Sequence, residues 1–131
     1  RKSGTAMPQS IFISYVYEDK PYRDNVERWF EQGKVGPNRV TIAEFTDFRQ
    51  HGDRAVETHL KPMLRGAAAV LCLVGQNTHN SQWVQYELSV ASSLNKKIIL
   101  ARIPGTTGAA PPHHQHLAIY PLDPSSLLKL F

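Results

Sequence analysis

The run Ala67–Val74, AAAVLCLV, decides the fold. It carries no charge and no polar residue, and it is short enough for a strand. A continuous apolar run of this kind fits a strand buried on both faces, as at the centre of a parallel sheet. Such a strand needs helices above and below it, so its flanks should alternate between strand and amphipathic helix. On the N-terminal side, Ser10–Val16 (SIFISYV) is β-branched and aromatic and reads as a strand. Glu18–Gln32 reads as a helix, with Val26, Trp29 and Phe30 forming a sheet-facing stripe and Gly33 and Gly36-Pro37 ending it. Val40–Phe45 is a second strand and Thr46–Asp53 a polar loop. A helix capped by Asp53 then runs to about Arg65, with Val56, Leu60 and Leu64 on one face and Pro62 kinking or shortening it.

On the C-terminal side, Gly75–Asn80 is a short loop. Ser81–Leu94 reads as a helix capped by Ser81 or Asn80, with Val84, Leu88 and Ala91 turned inward. Lys97–Ile103 is a strand, Pro104–His116 a Pro/Gly/His-rich loop and Leu117–Tyr120 a last short strand. Asp123-Pro124 opens a final helix to Phe131. This alternation predicts an α/β fold: a three-layer sandwich around a central, mostly parallel, five-stranded sheet. Ligands of such sheets sit beyond the carboxyl ends of the strands. The loops Tyr15–Lys20, Thr46–Asp53, Gly75–Ser81 and Pro104–His116 are therefore where function is expected.

The 131 residues suit one domain, assigned to 8–131, and 41% hydrophobic with 20% charged residues is ordinary for a globular chain. The opening RKSGTAM reads as an appended or disordered tail, with Met7 as a natural start. The net charge of +4 owes half its value to Arg1 and Lys2, and no basic cluster interleaved with aromatics remains to suggest nucleic acid. No apolar run reaches membrane-spanning length. One cysteine, Cys72, excludes a disulfide framework and points to a reducing, cytoplasmic compartment. There is no Walker-type loop and no GxGxxG after the first strand, so a Rossmann dinucleotide site is not indicated.

Three segments resemble a known family. Ile11–Lys20 (IFISYVYEDK) is similar to the opening strand and Ser/Tyr/acidic loop of TIR domains. Asp47–Leu64 resembles their BB loop and its following helix. Gly75–Ala91 (GQNTHNSQWVQYELSVA) resembles the S-x-W-x-x-x-E-[LI] segment, here Ser81, Trp83, Glu87 and Leu88, and is the most specific of the three. Val84 stands where many eukaryotic TIR domains have cysteine. The nearest resemblance is to the bacterial TIR-like branch of Thoeris-type anti-phage defence. It implies the flavodoxin-like TIR fold, and either of two functions. One is cleavage of the nicotinamide–ribose bond of NAD+, by a glycohydrolase or ADP-ribosyl cyclase acting in immune signalling or as a cell-death effector. The other is a non-catalytic adaptor that assembles with other TIR domains. The resemblance also implies that self-association is needed for activity, and that a fused or separate sensor domain accompanies the chain. NAD+ would be substrate, with no cofactor and no metal.

Glu87 is the expected catalytic residue. Trp83 lies one helical turn before it on the same face. Ordinary glycosidases need two carboxyl groups because the leaving alcohol must be protonated. Nicotinamide leaves a pyridinium as a neutral molecule, so one carboxylate facing an oxocarbenium-like ribose is enough. Ser14, Tyr15, Trp83, Asp47 and Phe48 are the expected substrate contacts. For Ser14, Tyr15 and Trp83 the competing role is packing, and for Phe48 a buried anchor. Asp19 is expected to cap a helix, as is Thr78 or Asn80. His113-His114-x-His116 has no carboxylate or cysteine beside it and is not read as a zinc site. A receiver-like domain on the same architecture would need an Asp after the AAAVLCLV strand, where Gly75-Gln76-Asn77 stands.

Overall fold

The computed structural model describes residues 8–42 and 60–131. A sheet in the order β3-β1-β4-β5-β6, every neighbour parallel, forms the middle layer. β1 is Ser10–Ser14, β3 Arg39–Thr41, β4 Ala69–Val74, β5 Lys97–Arg102 and β6 Ile119–Pro121; a further extended piece, β2 (Lys34–Pro37), packs against helices instead. The helices are α1 (Lys20–Glu31), α2 (helical residues 60–65), α3 (Gln82–Ser93) and α4 (Pro124–Leu130).

All six residues of β4 are buried, as its sequence requires. The pleat sorts each strand between two cores. Ile11, Ile13, Leu71, Leu73, Ile99 and Ala101 face the layer holding Val26 and Phe30 of α1 and Leu127 of α4. Phe12, Val70, Cys72, Val74 and Leu100 face Leu60 and Leu64 of α2 and Val84, Leu88 and Ala91 of α3. Chirality produces this division. The chain steps one way from β1 to β3, then returns across β1 to β4 and on to β5. Right-handed crossovers therefore put α1 on one face and α2 and α3 on the other. The step from β5 to β6 has no helix; Ala110 and Leu117 of its loop pack on the α3 face instead.

Helix boundaries follow local chemistry. Ser81 caps α3 by accepting a hydrogen bond from the Val84 N–H at 3.1 Å. Asp123 caps α4 through the Ser126 N–H at 2.8 Å, with Pro124 at the first position. Gly33, at φ +75, takes the left-handed residue past the end of α1. The segment expected as helix from Glu18 begins instead as a 3-10 turn, Tyr17–Asp19, with the α-helix starting at Lys20 just before Pro21. The last strand lies slightly later than its predicted span. The end of the predicted second strand, the polar loop and the Asp53 cap fall outside the described residues.

Candidate active site

α3 crosses the α3-side face of the sheet and carries Glu87 against β1 and β4. Glu87 is 1% exposed. The Ser14 hydroxyl, at the end of β1, donates to its Oε1 at 2.7 Å. Ser14 is itself fully buried and pairs in register with Cys72 of β4. The Trp83 side chain, one turn earlier on α3, lies beside the Glu87 carboxyl and favours its charged form. Among the described residues no Lys or Arg forms an ion pair with it.

The electrostatics follow from that setting. Burial pushes the Glu87 carboxyl well above the usual carboxylate range, and the Ser14 hydrogen bond and the neighbouring Trp83 pull it partly back. Burial also pushes the Cys72 thiol up, and the charge of Glu87 adds to the effect. Cys72 thus stays a protonated, inert neighbour. A buried carboxyl held by hydrogen-bond donors but not neutralised by a cation is a strongly perturbed group of the kind active sites contain.

The structure brings together three of the expected site residues: Ser14, Trp83 and Glu87. Tyr15, expected beside Ser14 at the substrate, lies on the other face from Ser14, as successive residues along a strand do. Tyr15 is buried in the α1-side core, with the Arg23 guanidinium carbon 5.2 Å from its ring centroid. Asp47 and Phe48 lie outside the described residues.

Two expected caps make no capping hydrogen bond. Thr78 does not cap α3. Its buried hydroxyl donates to Leu73 O at 3.1 Å and accepts from the Gly75 N–H at 2.7 Å, stapling the loop to the end of β4. Asp19 holds the N-cap position of α1, yet its side chain makes no capping hydrogen bond. The loops beyond β1, β4 and β5 are also tied to one another. Asn77 Nδ2 donates to the Glu18 carboxylate at 3.2 Å, and Gln76 Oε1 accepts from the Thr107 N–H at 3.0 Å. Cys72 is a core residue of β4. Its place beside Glu87 depends on strand register, which no local sequence signal carries. His114 is buried and held below the usual histidine range by burial and its neighbours His116 and His113. Among the described residues no group of His, Cys, Asp and Glu is placed to hold a metal ion. Nor is any helix among them long and apolar enough to cross a membrane.

A parallel sheet in this order, with a buried acidic residue on the helix after β4, defines a TIR-type α/β domain, and solved structures agree on the fold. The TIR domain of the Toll-related receptor TRR-2 from Hydra magnipapillata superposes with a TM-score of 0.60 at 14% identity, covering 86% of this chain and 82% of that one. The CMP N-glycosidase BcmB of Clostridium botulinum gives 0.57 at 16% identity, covering 93% and 97%. A 2-desoxiribosyltransferase from Leishmania mexicana gives 0.61 at 14% identity, covering 94% and 97%. The family model of the Thoeris protein ThsB TIR-like domain matches residues 12–108, more than half of the sequence, and the chain belongs to that family. No curated protein matches it.

Proposed function

We propose that this domain cleaves the nicotinamide–ribose bond of NAD+ as part of anti-phage defence, with Glu87 as its catalytic group. The observation that carries the reading is the buried Glu87 carboxyl with Ser14 as its donor, Trp83 beside it and no cationic partner among the described residues. Membership of the Thoeris TIR-like family supports the defence context. One structural neighbour is named for N-glycosidic cleavage and another for deoxyribosyl transfer, which supports chemistry at a glycosyl bond.

A carboxyl whose ionisation is opposed by burial becomes easier to ionise when a cation enters. The pyridinium of NAD+ is such a cation. As the bond between C1′ and the pyridinium nitrogen lengthens, its electron pair passes to the ring, and nicotinamide leaves neutral. Positive charge moves to C1′ and the ring oxygen of the ribose. The Glu87 carboxylate stabilises that charge in a place where water screens little. Water then attacks C1′ and releases a proton to give ADP-ribose; attack by an atom of the same molecule gives a cyclic isomer. Ser14 and Trp83 favour the ionised form of the carboxyl, and the Ser14 hydrogen bond fixes its orientation.

The test is incubation of concentrated protein with NAD+ and chromatographic separation of nicotinamide from the adenine-containing products, beside Glu87→Gln. Nicotinamide release by the parent, reduced by about a hundredfold or more in the variant, is the expected result. Absence of release from the assembled parent protein would replace this reading with the adaptor role.

A further inference from the structure

The mechanism above leaves one buried carboxyl without a task. Asp19 ends the 3-10 turn between β1 and α1 and is 7% exposed. Its Oδ2 is buried with no hydrogen-bond partner among the described residues. The carboxyl lies directly against Gly75, the residue that follows β4: a Cβ built on Gly75 would stand 2.3 Å from Oδ2. Gly75 thus makes room for Asp19. A buried acceptor left unmet is costly, and no helix cap or ion pair accounts for this one.

The position of Asp19 suggests what meets it. β1 has β3 on one side and β4 on the other, so the chain reverses its direction of travel across the sheet between β1 and β4. Open α/β sheets bind ligands beyond the strand ends at such a reversal. Ser14, which holds Glu87, is in register with Cys72. Gly75, just past the end of β4, lies three residues beyond Cys72, about 10 Å at ~3.3 Å per residue, towards the carboxyl edge. A ribose whose C1′ meets Glu87 keeps its own hydroxyls near Glu87, so Asp19 is left to the groups further out. These are the phosphates, the adenosine beyond them and the nicotinamide, of which only the nicotinamide is bonded to C1′. A carboxylate repels phosphate, whereas the carboxamide of nicotinamide offers N–H donors.

We propose that Asp19 accepts a hydrogen bond from the carboxamide N–H of the leaving nicotinamide and so makes the site select the amide over the acid. The proposal rests on the reading of the site as one that cleaves NAD+. Nicotinic acid adenine dinucleotide, which carries a carboxylate in place of the carboxamide, would meet Asp19 with like charge.

Isothermal titration calorimetry on the Glu87→Gln protein tests this, using NAD+ and nicotinic acid adenine dinucleotide as the two probes. With Asp19 present, NAD+ should bind at least about tenfold more tightly. Asp19→Asn, whose amide can donate to the acid, should erase or invert that preference. Comparing two dinucleotides on the Asp19-containing protein needs no change at position 19, so misfolding of the Asn variant leaves the first arm intact. Equal binding of the two probes, or an amide preference that Asp19→Asn leaves unchanged, overturns the proposal. Nicotinamide and nicotinate release by the Glu87 protein is measured alongside. Release of nicotinamide with a preference indifferent to Asp19 removes the contact and keeps the glycohydrolase. An Asp19-dependent preference in a protein that releases nothing keeps the contact and removes the glycohydrolase.

Discussion

Glu87 is held by two opposed influences that can be changed one at a time. Burial raises its pKa, and the Ser14 hydrogen bond and the neighbouring Trp83 lower it. Ser14→Ala removes one of the lowering contacts. The acidic limb of the pH–rate profile should then move to higher pH, and kcat/KM at neutral pH should fall about tenfold, or ~1.4 kcal/mol. An unmoved limb would show that the hydroxyl does not tune the carboxyl. The same shift predicts a stability effect. A carboxyl whose pKa is higher in the folded than in the unfolded state binds more protons when folded. Its contribution to stability is full below the unfolded value, near 4.5, and is lost as pH rises towards and through the folded value. Glu87→Gln carries no such term. Thermal unfolding followed from about pH 4 to about pH 8 should show the variant gaining in stability relative to the parent as pH rises.

At the scale of the element, the site depends on loops that approach one another more closely than most side chains allow. A Cβ at Gly108 would stand 2.2 Å from Gly75 O and 2.5 Å from Gln76 O, both backbone atoms that no rotamer change can move aside. Arg102 anchors the same place by donating to Gly108 O at 2.7 Å. Gly108→Ala should therefore cost about 1–3 kcal/mol in urea denaturation. It should also disturb the loop of Gly75, and with it the seat of Asp19. A neutral result would mean that the loop beyond β5 yields freely. Helix α3 is the contrasting case. Its Ser81 cap, its inward residues Val84, Leu88 and Ala91, and the shared face of Trp83 and Glu87 were all readable from spacing, because a helix makes its own register.

For the whole molecule, the relevant property is assembly. TIR domains generally associate with one another, and β6, at one edge of the sheet, is a three-residue strand ending in Pro121. Short strands and proline discourage edge-to-edge pairing. Association is then expected through helix and loop surfaces, where Tyr17 is 68% and Leu128 is 49% exposed. If neighbouring copies complete the site, NAD+ cleavage per molecule should rise with protein concentration in step with the assembled fraction seen by light scattering. Constant specific activity across the monomer-to-oligomer range would show that one copy suffices.

The sequence alone determined the architecture, because its signals are local. The apolar run Ala67–Val74 requires a strand covered on both faces. The 3.6-residue stripes at Val26/Phe30 and Val84/Leu88 supply the covering helices, and Ser81 and Asp123 mark where helices start. Resemblance in the segment around Glu87 singled out the carboxyl. Only the tertiary structure decided which partners reach it. Ser14 and Tyr15 are adjacent in the chain, yet the pleat sends the first to Glu87 and the second into the opposite core. Cys72 comes beside Glu87 through the register of β4 on β1. Asp19 loses its expected capping bond and settles against Gly75 because two loops distant in sequence converge at the same strand ends. These contacts are long-range, and a long-range contact leaves no periodicity in the residues that make it.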